Sequence, residues 1–430
     1  MRFLLLLIPF MMYSANLNFT LFKKEGEVKG NTLLVIGGIH GNEPGGYFGA
    51  AFLEKYYDIK SGSLWLTPNL NFDSIITNKR GIYGDMNRKF SEIKKSDKDY
   101  EIVTKVKEYI LNEKVDLVLN LHDGFGFYRN KYENAIFNPN AWGQATIIDQ
   151  DKIHGLEKFG DLDKIAKTVS KKLNGDDLYQ DYHSFGVKNT ETKFKDEQQQ
   201  LSLTFFAVTH NKPAFAIETS KNITDLTQKV IYQLKSIEEF MNIMGIEFER
   251  KFDINNYEDV KQKVYDFEKV VINNNIELSL SNINKTLRYV PMKKDDNKIE
   301  FSHVLGAYSY KNGIYTFHIG NKKICNIYPQ YFKLGKSENP IKIEIDDKVQ
   351  DVKFGSQINI KDHFKILKDG YRVNIIGFSK SGVDSEDGIL IHKDDILNRY
   401  SIDKGNKQYR AEFYKDGDFY GMIVLNFEDK

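Results

Sequence analysis

A histidine and a carboxylate stand three residues apart in VIGGIHGNEP, as His40 and Glu43, where an apolar run breaks at a glycine pair. Side chains at that spacing can reach one metal ion. Leu33–Ile36 is apolar and largely β-branched and reads as a buried strand, and Pro44 opens a helix. Two further candidates also close strand-like runs. His122 follows VDLVLNL and precedes Asp123-Gly124, and Glu218 follows PAFAI. In open α/β sheets, functional groups collect beyond the carboxyl ends of the strands. His40, Glu43, His122 and Glu218 are therefore expected to be neighbours. Two histidines and one glutamate form a ligand set of catalytic zinc, with the fourth position left for water. A lone His-x-x-Glu pair is common on surfaces, so the weight rests on the combination.

The elements that must position these groups alternate in type. Strands are expected at 32–37, 62–67, 115–121 and 213–218, and amphipathic helices at 46–57, 99–113 and 161–173. A long helix is expected at 225–244. This alternation implies an α/β domain with a mixed or largely parallel sheet flanked by helices. After Gly245 helical periodicity fades and short alternating runs take over, such as Lys342–Ile345, Arg372–Ile375 and Met422–Leu425. Asn312-Gly313 and Asp416-Gly417 mark hairpin turns. The expected organisation is a signal peptide at 1–15, a catalytic domain at 16–245, a small β domain at 246–335 and a C-terminal β-sandwich-like domain at 336–430.

The order His40-x-x-Glu43, Arg80, Asp85-x-Asn87-Arg88, Leu121-His122, Ile217-Glu218-Thr219 resembles the zinc carboxypeptidase superfamily. That superfamily also holds the succinylglutamate desuccinylase and aspartoacylase deacylases. The match covers roughly residues 30–245, and with the leader and two β domains the chain is most similar to the periplasmic peptidoglycan DL-carboxypeptidases that determine helical cell shape. The resemblance implies one zinc ion held by His40, Glu43 and His122, with Glu218 as general base. It implies Arg88 and Asn87 as the clamp for a terminal carboxylate, Arg80 facing the scissile carbonyl, and Asp85 orienting the His40 imidazole. Trp142, Thr204 and Lys221 are further substrate-contact candidates. Each group also has a plain structural reading, as a solvated histidine, a surface ion pair, a helix cap or a core tryptophan. One departure stands out: digestive members carry a substrate-contacting tyrosine before the catalytic glutamate, whereas LSLTFFAVTH here has none.

Sixty-one basic residues against 60 acidic ones give a formal charge of +1, which provides no field for nucleic acid. The start, MRFLLLLIPFMMYSA, has a signal-peptide pattern, and export to the periplasm without stable membrane insertion is expected. The single cysteine, Cys325, excludes an intramolecular disulfide. The expected activity is removal of meso-diaminopimelate from a peptidoglycan stem peptide, muramyl tripeptide, with cell-wall or shape-complex partners as a role open to the β domains. A zinc-dependent deacylase of N-acyl amino acids is the alternative, and a non-enzymatic wall-binding module a third reading.

Overall fold

The structure, a computed structural model, describes residues 19–175, 183–337 and 339–428. The expected signal peptide lies outside them. The chain divides into two compact units, one reaching to Tyr265 and the other starting at Asp266.

The first unit begins with β1 (Phe22–Glu25), β2 (Val28–Ile36), α1 (Pro44–Tyr56), β3 (Tyr57–Thr67) and α2 (Phe72–Ile76). There follow α3 (Tyr100–Leu111), β4 (Leu117–Gly124), and the short strands β5 (Phe127–Tyr128) and β6 (Phe137–Asn138). Next come β7 (Ala145–Ile148), α4 (Leu162–Asn174), β8 (Gly186–Asn189), α5 (Thr192–Lys195) and α6 (Leu203–Thr209). The unit closes with β9 (Ala214–Ser220), α7 (Leu226–Met244), β10 (Glu247–Arg250) and α8 (Tyr257–Val264). Eight strands form one mixed sheet in the order β1-β3-β2-β4-β9-β7-β8, with β10 pairing β3 at its other end. The pairs β3/β2, β2/β4 and β4/β9 are parallel.

From β2 the chain winds outward to β3 and then returns past β2 to β4. The order therefore reverses between β2 and β4, and their carboxyl ends flank the crevice where ligands bind in such sheets. β4 occupies the middle. Leu117, Val118, Leu119 and Leu121 are at most 1% exposed, and burying each contributes about 1.5–3 kcal/mol.

Gly245 looks like a domain boundary in the sequence, but in the structure it is a helix terminus. It takes the left-handed conformation (φ 67°) that caps α7. The chain then adds β10 antiparallel to the first half of β3. The first unit thus extends beyond residue 245 to Tyr265.

The second unit is all-β apart from single 3-10 turns. Two of its sheets use strands between Lys269 and Tyr331, and two use strands between Ile341 and Phe427. The latter pair shares one core. Ile341, Ile343 and Ile345 with Phe364 and Ile366 come from one sheet, and Val373, Ile375, Phe413, Ile423 and Leu425 from the other. Their two-residue spacing is that of strands with one face buried in a sandwich. Both expected hairpins are present, with φ positive at Asn312 and Gly313 (52° and 79°) and at Asp416 and Gly417 (54° and 85°).

Candidate active site

Register places the first two groups. β4 and β9 run parallel with His122 opposite Glu218 and Asp123 opposite Thr219. Side chains alternate along a strand, so His122 and Glu218 share one face while Asp123 and Thr219 share the other. On that other face Thr219 Oγ1 donates to Asp123 Oδ1, and Lys229 Nζ on α7 donates to Oδ2 at 2.9 Å. Gly45 at the start of α1 also donates its N–H to Asp123 Oδ2, at 3.1 Å. A β-carbon at Gly45 would stand 2.3 Å from Asp123 Oδ1, so only glycine allows α1 to approach. Gln233 of α7 donates to the His122 carbonyl oxygen at 2.8 Å and holds the end of β4.

The loop after β2 supplies the partners. Glu43 precedes Pro44 as the N-cap of α1, yet its side chain makes no capping hydrogen bond. The carboxylate turns instead to the histidines: Oε2 lies 2.8 Å from His122 Nδ1 and 3.0 Å from His40 Nδ1. The two rings stand 4.9 Å apart, centre to centre. All three residues are buried, and their donor atoms lie within 4.8 Å of one another.

The donor set fits a divalent metal ion. His40 Nε2 is bonded to Asp85 Oδ1 at 2.8 Å, which turns Nδ1 toward Glu43 and His122. That Nδ1 is buried and makes no hydrogen bond although Glu43 is near. An outer carboxylate on the far nitrogen of a metal-binding imidazole is the usual way of fixing its tautomer. Without a metal, the charges balance among themselves. Burial raises the Glu43 carboxyl, but His40 and His122 more than offset it and hold it well below the usual range. Burial lowers the His40 imidazole, but Glu43 and Asp85 more than reverse this and raise it. For His122 burial prevails, and its pKa is lowered.

Glu218 stands beside this cluster in the opposite condition. Burial first, then the charges of Glu43 and Asp123, raise its pKa well above the ordinary carboxyl value, and its Oε2 is buried without a hydrogen-bond partner. A carboxyl whose affinity for a proton is raised in this way is suited to accepting one and passing it on.

The two nearby cations line the cleft and are also tied to the cluster. Arg80 donates to Glu43 Oε1 at 3.2 Å and to Asp85 Oδ2 at 2.9 Å, bridging the outer ends of the cluster. Lys221 also donates to Glu43 Oε1, at 3.0 Å. Lys221 thus touches the carboxylate of the cluster while lining the cleft in which a substrate contact is expected of it.

A cleft of about 280 Å³ opens over these groups, and Asn87, Arg88, Trp142 and Thr204 line it with them. Asp85 caps the 3-10 turn Met86–Arg88, aiming Asn87 and Arg88. Asn87 Oδ1 accepts the N–H of Leu203 at 3.0 Å and so fixes the start of α6, the helix that carries Thr204. Arg88 donates to the Asn87 carbonyl oxygen at 3.1 Å with one of its five N–H groups. Lys188 Nζ lies 4.3 Å from the Trp142 ring centre. A β-carbon at Gly124 would meet the Trp142 Cβ at 2.6 Å, so glycine lets the tryptophan wall the cleft.

Several lining residues escaped the sequence reading, Asn120 and Asp149 among them. Asn120 precedes His122 by two on β4, so strand alternation alone points it at the same face. Asp149 follows β7 and is buried, with Thr192 Oγ1 donating to it and Thr204 also bonded. Burial pushes its carboxyl up to about 6, against 3.8 for an ordinary aspartate. Because the folded value is raised, this carboxyl's contribution to stability is complete below pH 3.8 and is lost as pH rises through about 6. The difference is worth roughly 3 kcal/mol. Asp149→Asn should therefore be more stable than the parent at pH 7.5 and lose that advantage at pH 4. Urea titrations at the two pH values measure this, and parallel pH dependences would contradict it.

Paired imidazoles and a carboxylate at the carboxyl ends of parallel strands, beside a buried glutamate and a guanidinium in one cleft, define the class: a metallocarboxypeptidase, a hydrolase. Residues 7–264 match the family model described as the catalytic part of the carboxypeptidase controlling helical cell shape, and 334–428 match the C-terminal domain of metallo-carboxypeptidase. The chain belongs to this family of cell-shape carboxypeptidases. The apo form of Cell Shape Determinant protein Csd4 from Helicobacter pylori is similar to it, with 33% identity and a TM-score of 0.88 over 96% of this chain and 100% of that one. The mDAP-bound form of Helicobacter pylori Csd4, described as a D,L-carboxypeptidase, shares 34% identity and a TM-score of 0.88 over 95% of this chain and 100% of that one. The tripeptide-bound form gives 34% and 0.88 over 96% and 100%. No match was found among the curated protein sequences compared.

Proposed function

We propose that this protein is a zinc-dependent DL-carboxypeptidase that trims muramyl tripeptide to dipeptide, releases meso-diaminopimelate and so helps set cell shape. The observation that carries the reading is a single cleft lined by His40, Glu43, His122, Glu218 and Arg88. A structure related at full length, that of Helicobacter pylori Csd4, holds a tripeptide in one form and mDAP in another, which supports the choice of substrate.

His40, Glu43 and His122 would hold the zinc ion, and two imidazoles with a carboxylate suit it. When bound, zinc supplies a Lewis acid that polarises a carbonyl and acidifies water. The remaining work belongs to the chain. Arg88 pairs with the terminal carboxylate through a planar fork that a carboxylate matches, with Asn87 beside it. That pairing sets the scissile bond one residue from the end. Glu218 takes a proton from the attacking water and gives it to the departing amine. Arg80, held by Glu43 and Asp85 at the cleft's edge, is placed to meet negative charge developing on the carbonyl oxygen. Trp142 walls the cleft, and Thr204 fixes Asp149 on its lining.

Among the described residues no helix is long and apolar enough to cross a membrane. The apolar start of the sequence and the wall substrate together support a periplasmic location after export. The β unit is the natural surface for partners in the wall or in a shape-determining complex.

The clamp is testable by itself. Arg88→Ala should lower kcat/KM on a free-carboxylate peptide roughly 100- to 1000-fold, the value of two charge-assisted hydrogen bonds. The amidated peptide, already a poor substrate, should lose less than about tenfold. Equal losses on both would remove Arg88 from carboxylate recognition.

A further inference from the structure

His363 and His392 face each other across an antiparallel strand pair, His363–Ile366 with Ile391–His392, in the β unit. Direct cross-strand partners put their β-carbons about 4.5–5.5 Å apart on one face, and here the ring centres are 5.4 Å apart. Asp362 places a carboxylate oxygen against both rings: Oδ2 is 3.1 Å from His363 Nδ1 and 3.6 Å from His392 Nδ1. The three residues offer donor atoms that all lie within 4.8 Å of one another. Around a tetrahedral ion with bonds of about 2.0–2.1 Å, ligand atoms stand about 3.3–3.4 Å apart. The two measured separations fall on either side of that value.

We propose that Asp362, His363 and His392 form a second divalent-metal site, built wholly from the β unit and separate from the catalytic cluster. Two imidazoles and one carboxylate select zinc, copper or nickel over calcium and magnesium. The pieces of such a site are in place. His363 Nε2 lies 3.3 Å from Asp347 Oδ1, an outer carboxylate that orients the ring and leaves Nδ1 for the ion. The His363 side chain is only 14% exposed, and its backbone N–H is anchored on Asp346 Oδ1 at 3.2 Å. His392 and Asp362, at 46% and 58%, leave the outer side open to the ion and its water. The adjoining pocket mixes Lys361 and Lys393 with Asp394 and Glu428, so no cationic field opposes the ion.

The site has a structural consequence. Ile391–His392 is a two-residue strand at the edge of its sheet, and an ion shared with His363 would pin it there. Ion binding to the folded chain alone raises its thermal midpoint.

The test compares the full chain with His363→Gln, His392→Gln and Asp362→Asn. Each protein is dialysed to equilibrium against zinc chloride and its metal is counted by elemental analysis. The two histidine variants should each hold one equivalent less than the parent, and Asp362→Asn should bind that equivalent about tenfold more weakly. Hydrolysis of muramyl tripeptide, carried out by the other unit, should be unchanged in all three, and circular dichroism of each should match the parent. Zinc should raise the melting temperature of the parent more than that of the histidine variants. Equal stoichiometry in parent and histidine variants would overturn the site. The reading is by difference, so it stands whatever occupies the catalytic cluster.

Discussion

Replacing Glu218 with glutamine is expected to lower kcat by about 10³-fold or more while leaving the metal content and the fold intact. Removing a general acid–base typically costs 10²–10⁴ in rate. The expectation of intact metal follows from position. Glu218 lies opposite His122 on the next strand, but the grouped ligand atoms belong to His40, Glu43 and His122. The expectation of intact folding follows from charge. Burial and the neighbouring Glu43 and Asp123 already disfavour the ionised carboxyl, so a neutral amide of the same shape relieves repulsion. Turnover by the purified variant, alongside elemental analysis and circular dichroism, checks all three points. Near-parental turnover would remove Glu218 from proton transfer, and loss of metal would make it a ligand instead.

His122→Ala should fail differently. It removes one of the grouped donors and leaves Glu43 Oε2 without its 2.8 Å partner. Bound metal should fall from about one equivalent at this site to below about 0.1 after dialysis, because an imidazole and a carboxylate alone do not make a closed site. Hydrolysis should fall by at least about 10³-fold with it. Since an alanine in a buried position also leaves a cavity, His122→Gln serves as the companion, keeping volume without the imidazole nitrogen. Both variants should lose metal. Full metal content in either would exclude His122 as a ligand.

The catalytic framework was legible in the sequence because its groups sit where strands end. The runs before His40, His122 and Glu218 are apolar and short, and their periodicity alone locates β2, β4 and β9. The edge strands were not legible. β1 (FKKE) and β10 (EFER) are polar at alternate positions and pair along one side only, so they read as loop. The helix expected at 46–57 passes straight into β3 at Tyr57, since β10 gives residues 57–61 a partner that lies far ahead in sequence.

Within the site, residue types were readable but contacts were not. Lys221 looked free to meet substrate, and only the folded loop shows it on Glu43. Arg80 is expected to face the scissile carbonyl, and the structure also ties it to Glu43 and Asp85. Asp149, in IIDQD, carries no signal in the sequence. It becomes a cleft residue because Thr192 and Thr204 close over it from two later segments, a fact of tertiary packing.

The most direct measurement is a digest of purified muramyl tripeptide, read by mass spectrometry, with and without a chelator. Loss of one meso-diaminopimelate is expected, abolished by the chelator and restored by zinc. An intact tripeptide beside cleaved N-acyl amino acids would contradict it and make the enzyme a deacylase.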